Sequence, residues 1–221
     1  MKKRVTKNLR IHYNGLVDEY VSEFFNDLTD APWIDRLLGS LPARSCILDV
    51  GCGPGNFSAY IASRGHRVTG IDISTAMIER ARMLVPTGDF RVMNMSRLRF
   101  SANSFDGLLV AYSFLHVPKR HAKNVLHEFC RVLKPRGVLA LMVKEGTGHH
   151  NLPSPLVAGR YCFVELWREE TLSQLLKETG FDLILKDSAL PKSLKELPYR
   201  KFFFLMCSAK RSSTGNKRNG S

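Results

Sequence analysis

The sequence predicts an α/β fold, a mostly parallel sheet with helices on both faces. Three observations carry this. From residue 46 onward, short apolar runs alternate with segments of helical spacing, the pattern that right-handed β-α-β crossovers leave in a chain. The runs CILDV, FDGLLVAYSF and GVLALMVKE are largely continuous rather than alternating, as parallel strands covered on both faces are. The first run also ends in a glycine-rich turn, Gly51-Cys-Gly53-Pro-Gly55, that opens a helix.

Taken in order, residues 14–29 place Leu16, Val17, Tyr20, Val21, Phe24, Phe25 and Leu28 at spacings of three and four, which predicts a helix. A second helix is expected over 32–41, with Pro32 in its first turn after Asp30. The first strand, 46–50, leads through the glycine turn into a helix stopped by Gly65. Strand 67–72 precedes helix 74–85, with Ser74 as its N-cap. Strands follow at 89–95 and 105–114, then helix 119–133 and strand 137–145. Residues 146–166 lack a strong period and contain two prolines and three glycines, so they read as an irregular segment. Helix 168–179 ends at Gly180, and strands at 181–187 and 201–208 complete the order.

At 221 residues one domain can bury a full core without disulfides or structural zinc. The longest apolar stretch, Val138 to Val143, is far short of a membrane span. The basic start is not followed by an apolar signal region. Five widely spaced cysteines with no C-x-x-C pair argue against a disulfide framework or zinc site, and point to a reducing cytoplasm. The net charge of +13 sits mainly at the ends: five basic residues in 1–10 and four in 210–221, with no acid in either. The body between them carries 24 basic and 20 acidic residues. The expected organisation is a basic tail (1–10), one domain (11–209) and a disordered basic tail (210–221), with the tails as solvated ends.

The glycine turn narrows the ligand. Glycines at alternate positions let backbone approach a ligand closely, and the helix it opens favours anionic groups at its N-terminus. The phosphate-cradling pattern G-x-x-x-x-G-K-[ST] is absent, and the spacing G-x-G-x-G differs from the dinucleotide G-x-G-x-x-G. Asp49, two residues before the first glycine, would repel a pyrophosphate but suits a ligand with an ammonium group and no phosphate, such as S-adenosylmethionine (SAM). Asp72, ending the second strand, is placed to accept both hydroxyls of a ribose.

ILDVGCGPGNFS, VTGIDIS, SFDGLLVAYSFLHVP and RVLKPRGVLALMVKEG stand in this order. The set resembles the successive motifs of class I SAM-dependent methyltransferases, of the small UbiE-like type, which also share FFNDL, DFRVM and VKEG. The resemblance covers about residues 12–209. It implies a Rossmann-like, seven-stranded, mostly parallel sheet of order 3-2-1-4-5-7-6 whose last strand, KFFFLMCSAK, is antiparallel. It implies SAM as cofactor and S-adenosylhomocysteine as product. Carried over by position, Asp49, Gly51, Gly53 and Gly55 would line the methionine end, Asp72 would bind the ribose and Ile73 would pack on the adenine. Cys52, Asn56 and Met77 join them as cofactor-binding residues. Asn94 and Met95 occupy the end of strand three, where relatives usually carry an acid; Asn94 would accept the adenine amino group through its amide oxygen. Ala111 and Tyr112 would lie near the methyl group, and Tyr13 and Tyr20 would close over the cofactor.

Methyl transfer from an activated donor needs a base only if the acceptor must lose a proton. His116, after strand four, and Glu145, ending strand five, are the catalytic candidates. His149 and His150 have no third ligand at metal spacing, and His121 and His127 fall on a helix. Arg160, Tyr161, Phe163 and Trp167 are expected to border the acceptor. No N-P-P-Y follows strand four, which counts against amino methylation of DNA. The leading expectation is a cytoplasmic enzyme, monomer or homodimer, that methylates a small molecule at O, N or C. The alternatives are an RNA methyltransferase guided by the basic tails and a non-catalytic SAM-binding module.

Overall fold

The computed structural model describes residues 3–191 and 196–210. Among these, β1 (Cys46–Val50), β2 (Arg67–Asp72), β3 (Asp89–Val92), β4 (Phe105–Ala111), β5 (Leu133–Lys144), β8 (Phe181–Ala189) and β9 (Lys201–Ser208) form one sheet, and β6 (His149–Pro153) pairs with β7 (Tyr161–Glu165) in a separate hairpin. The order in the sheet is β3-β2-β1-β4-β5-β9-β8. This is the expected 3-2-1-4-5-7-6 arrangement, with β9 antiparallel to both neighbours. The helices are α1 (Lys3–Asn14), α2 (Val17–Phe24), α3 (Ala31–Gly39), α4 (Asn56–Ser63), α5 (Thr75–Leu84), α6 (Lys119–Val132) and α7 (Glu169–Glu178).

The central strands are apolar because helices cover both faces. Leu48, Leu108, Leu139 and Leu141 join one core with α6 and α7; Ile47, Leu109, Ala140 and Met142 join another with α3 and α4. Each such leucine stabilises the fold by about 1.5–3 kcal/mol through burial. Ser74 caps α5, its Oγ accepting from Met77 N–H at 3.1 Å.

The structure differs from the sequence reading at several places, and the strands expected over 89–95 and 105–114 end earlier, at Val92 and Ala111. The basic start is helical from Lys3, with Leu9 buried on it while Lys7 and Arg10 stay exposed. The helix expected over 14–29 begins at Val17 and ends at Phe24, interrupted before it by Gly15. Strand β5 starts at Leu133, whose pairing with Phe105 precedes a register shift. The irregular segment 146–166 contains the β6–β7 hairpin, in which His149 pairs with Glu165 and Pro153 with Tyr161. Of the tail expected over 210–221, residues 211–221 lie outside the described residues. Lys210 is docked, its Nζ donating to the Arg131 and Leu133 carbonyls at 3.0 and 2.9 Å.

Candidate functional site

A cavity of about 250 Å³ opens over the carboxyl ends of β1, β2 and β4, where open α/β sheets bind ligands. Its roof comes from α1, α2, the hairpin residues Leu152, Pro153, Cys162 and Val164, and the loop Ser154–Leu156. Helix α1 is fastened there by Asn14 Oδ1, which accepts from Ser74 Oγ–H at 2.7 Å, and by Arg160 Nη1, which donates to the His12 carbonyl at 3.3 Å.

The glycine turn forms the floor. Gly51, Gly53 and Gly55 have φ of 74°, 55° and 91°, which side chains with a Cβ adopt only at a cost. A Cβ on Gly51 would stand 2.3 Å from Ser113 Cβ. A Cβ on Gly53 would meet only the Tyr20 ring, at 3.7 Å, so this glycine leaves its space to the cavity.

Asp72 faces the cavity at the end of β2. Its Oδ2 accepts from Gly53 N–H at 3.1 Å and its Oδ1 from Ser74 N–H at 2.8 Å. Burial pushes its carboxyl above the usual range, against the pull of these backbone N–H groups. Asp49 is 2% exposed and accepts from Ser58 Oγ–H at 2.7 Å; burial raises its carboxyl to about 7. Two carboxylates thus adjoin one loop in a setting that disfavours their charge. The Tyr20 phenol is pushed up by burial first and by Asp72 next.

The other sequence-predicted residues divide into two groups. Tyr13, Tyr20, Gly51, Gly53, Asn56, Asp72, Ile73, Met77, Asn94, Met95, Ala111, Tyr112 and His116 line the cavity. Asp49, Cys52, Gly55 and Glu145 lie outside that lining. Asp49 turns back to Ser58 beneath α4. Cys52 packs with Ile78, Ala81, Val85 and Phe90, and Gly55 is the left-handed N-cap of α4, against Val85 and Ala81. Glu145 is turned to Arg200, 3.1 Å away.

Asn94 differs from its expected role. Its Oδ1 already accepts from the Ser96 N–H and Oγ–H, at 2.9 and 2.8 Å, so its amide N–H groups are what it offers a ligand. Trp167, expected at the acceptor, is core: it is 1% exposed and stacks on Phe114 at 5.6 Å. Tyr161 is exposed and Phe163 stacks on His149.

A buried charge network at the β4–β5 end escaped the sequence reading. Lys201 Nζ is 2.8 Å from Asp30 Oδ1 and 3.4 Å from Glu196 Oε2. Lys144 Nζ is 3.3 Å from Glu196 Oε2. Tyr112, at φ 54°, donates to Asp30 Oδ2 at 2.7 Å. Lys144, Glu196, Asp30 and Tyr112 all border the cavity. The signal was present as lysines abutting apolar strands, Val143-Lys144 and Lys201-Phe202. These lysines face each other in the β5–β9 register, and two buried cations side by side require acids.

At the roof, His116 Nε2 is 2.6 Å from Tyr13 Oη and His116 Nδ1 is 2.7 Å from the Phe163 carbonyl. Burial lowers the imidazole to about 4, so the ring is neutral.

Comparison with known proteins fits this geometry. The family described as "Methyltransferase domain" matches residues 47–137. The O-methyltransferase resE of Aspergillus sclerotiorum is 34% identical over 169 residues, covering 69% of this chain and 62% of that protein. A SAM-dependent Diels-Alderase, iccD of Talaromyces variabilis, is 37% identical over 121 residues, covering 50% of this chain and 41% of that protein. The chain therefore spans less than two thirds of the length of either relative. Among solved structures, the Burkholderia thailandensis 1,6-didemethyltoxoflavin-N1-methyltransferase, determined with 1,6-didemethyltoxoflavin and S-adenosylhomocysteine bound, superposes with a TM-score of 0.76. It is 18% identical and covers 95% of this chain and 91% of its own, a likeness of fold. Among the described residues no helix is long and apolar enough to cross a membrane. The methyltransferase domain matched at residues 47–137 and the seven-stranded sheet around it support a class I SAM-dependent methyltransferase.

Proposed function

We propose that the protein binds SAM in this cavity and transfers its methyl group to a small-molecule acceptor. The observation that carries the reading is Asp72, a half-buried carboxylate facing the cavity and held by the N–H groups of Gly53 in the glycine turn and of Ser74. The residues present fit the cofactor. Two carboxylates whose charge burial disfavours would be relieved by a ligand carrying a sulfonium and an ammonium group and no phosphate. SAM, when bound, supplies an electrophilic methyl.

The chain's own residues would do the holding. Asp72 has lone pairs left for the ribose hydroxyls. Ile73, Met77 and Met95 offer apolar surface to a purine, and Asn94 would donate an amide N–H to a ring nitrogen. Gly51 and Gly53 let backbone approach the methionine end, with Asp49 acting from behind the loop as a counter-charge. Tyr20 and α1 would exclude water, which strengthens every polar contact inside. Glu145 has no part in this proposal.

Isothermal titration should detect binding of SAM and S-adenosylhomocysteine. Asp72→Ala should weaken both by more than about 100-fold, the loss of two hydrogen bonds to a charged acceptor. Wild type that binds neither would end the proposal. One relative is named a SAM-dependent Diels-Alderase, so binding must be joined by label transfer. Incubation with methyl-labelled SAM and a whole-cell extract, then separated into small-molecule, RNA and protein fractions, should place label in the small-molecule fraction. Label confined to RNA or protein would overturn the acceptor class.

A further inference from the structure

Resting on that methyltransferase reading, we propose that Tyr13 and His116 form a proton relay at the roof of the cavity. The acceptor is then a hydroxyl group, phenolic or enolic, that loses its proton as it is methylated.

The hydrogen bonds fix the tautomer. The Phe163 carbonyl, 2.7 Å from His116 Nδ1, can only accept, so Nδ1 carries the ring hydrogen. That leaves Nε2 with a bare lone pair, and the Tyr13 O–H, 2.6 Å away, donates to it. Tyr13 Oη then has one lone pair toward the protonated Cys162 thiol and keeps the other for a donor in the cavity, which both side chains line. Cys162 Sγ lies 3.6 Å from Nδ1, and burial holds its thiol protonated, so it adds no charge to the ring. The backbone carbonyl behind Nδ1 keeps the imidazole in place as it becomes cationic.

The chemistry selects the acceptor. An amine attacks as the neutral base and sheds its proton afterwards. A carboxylate or thiolate arrives already ionised. A hydroxyl is the common acceptor that benefits from losing its proton during the displacement. The surface beside the pair is apolar, from Leu115, Leu152 and Val164, which suits an aromatic or enolic hydroxyl over a sugar. In the step, the acceptor oxygen forms its bond to the methyl carbon as the carbon–sulfur bond breaks, with that electron pair left on sulfur. The acceptor proton passes to Tyr13 Oη while the Tyr13 proton passes to His116 Nε2, and the imidazolium releases it to water after the product leaves.

Two measurements test this. Nitrogen NMR of the histidine rings, without cofactor and with His116 assigned by His116→Gln, should find Nδ1 protonated and Nε2 bare. Phenol should shift the Nε2 signal and toluene should not. An Nε2-protonated ring, or equal response to both, overturns the relay. Methyl transfer is then measured at saturating SAM, with phenol, catechol and hydroquinone as hydroxyl probes and thiophenol as the comparison, at a pH where only the thiol is ionised. Tyr13→Phe and His116→Gln should cut transfer to the hydroxyl probes by about 100-fold and leave transfer to thiophenolate little changed. Equal loss with both classes assigns the pair a structural role and overturns the relay. Wild type that binds SAM but labels none of the hydroxyl probes overturns the acceptor class. Failure to bind SAM at all is a different result, and fells the methyltransferase reading instead.

Discussion

Asp49→Asn isolates what it costs to hold a carboxylate behind the glycine turn. Asp49 is 2% exposed, with Ser58 Oγ–H as its hydrogen-bond donor, and burial raises its carboxyl from 3.8 to about 7. Between those values the folded protein keeps a proton that the unfolded chain releases. The stability linked to that proton is complete below 3.8 and is lost as pH rises through about 7. Over this window, at about 1.4 kcal/mol per pH unit, the loss amounts to roughly 4 kcal/mol. Asparagine is neutral throughout and its amide oxygen can take the same bond from Ser58. Without cofactor, the variant should match wild type near pH 4 and exceed it by roughly 4 kcal/mol above pH 7.

Urea denaturation of both proteins across that range is the assay, and the difference between the curves is the quantity to read. His116 explains why. Its imidazole is lowered from 6.5 to about 4, so its contribution is present above 6.5 and lost as pH falls toward 4, opposite in sign to Asp49. The wild-type curve is flattened by this opposition, whereas the difference curve is not, because His116 and Asp72 are common to both proteins. A difference that stays constant from acid to neutral pH would refute the reasoning.

Two further outcomes follow from packing. Gly51→Ala should destabilise the fold by about 3 kcal/mol, combining left-handed backbone cost with overpacking; its Cβ would stand 2.3 Å from Ser113 Cβ, and an unchanged urea midpoint would contradict this. Lys201→Met should cost about 3–5 kcal/mol by leaving Asp30 without its cation, and adding Asp30→Asn should restore part of the loss, read as a double-mutant cycle in thermal denaturation.

The glycine-turn end of the cavity was legible in the sequence because it is local. The glycine turn and Asp72 each follow a strand directly, and a parallel sheet brings consecutive strand ends to one edge. What was not legible is the direction each side chain takes. Asp49, Cys52 and Gly55 stand within the same motif as Gly51 and Gly53, yet they face α4 and α5. A turn that reverses its backbone at successive glycines alternates which side its residues present, and only the packed helices behind it decide which side is which.

The sequence by itself determined the sheet, its helices and the chemistry of the loop, since each rests on periodicity and spacing within a few residues. The tertiary structure alone decided the roof of the cavity. The hairpin of 149–165, the docking of α1, the burial of Trp167 and the Tyr13–His116 contact across 103 positions are set by which surfaces meet. The same holds for Lys144 and Lys201, whose acids arrive from α3's start and from residue 196. Such contacts join segments distant in the chain, and their stability comes from burial and charge pairing that no local pattern encodes.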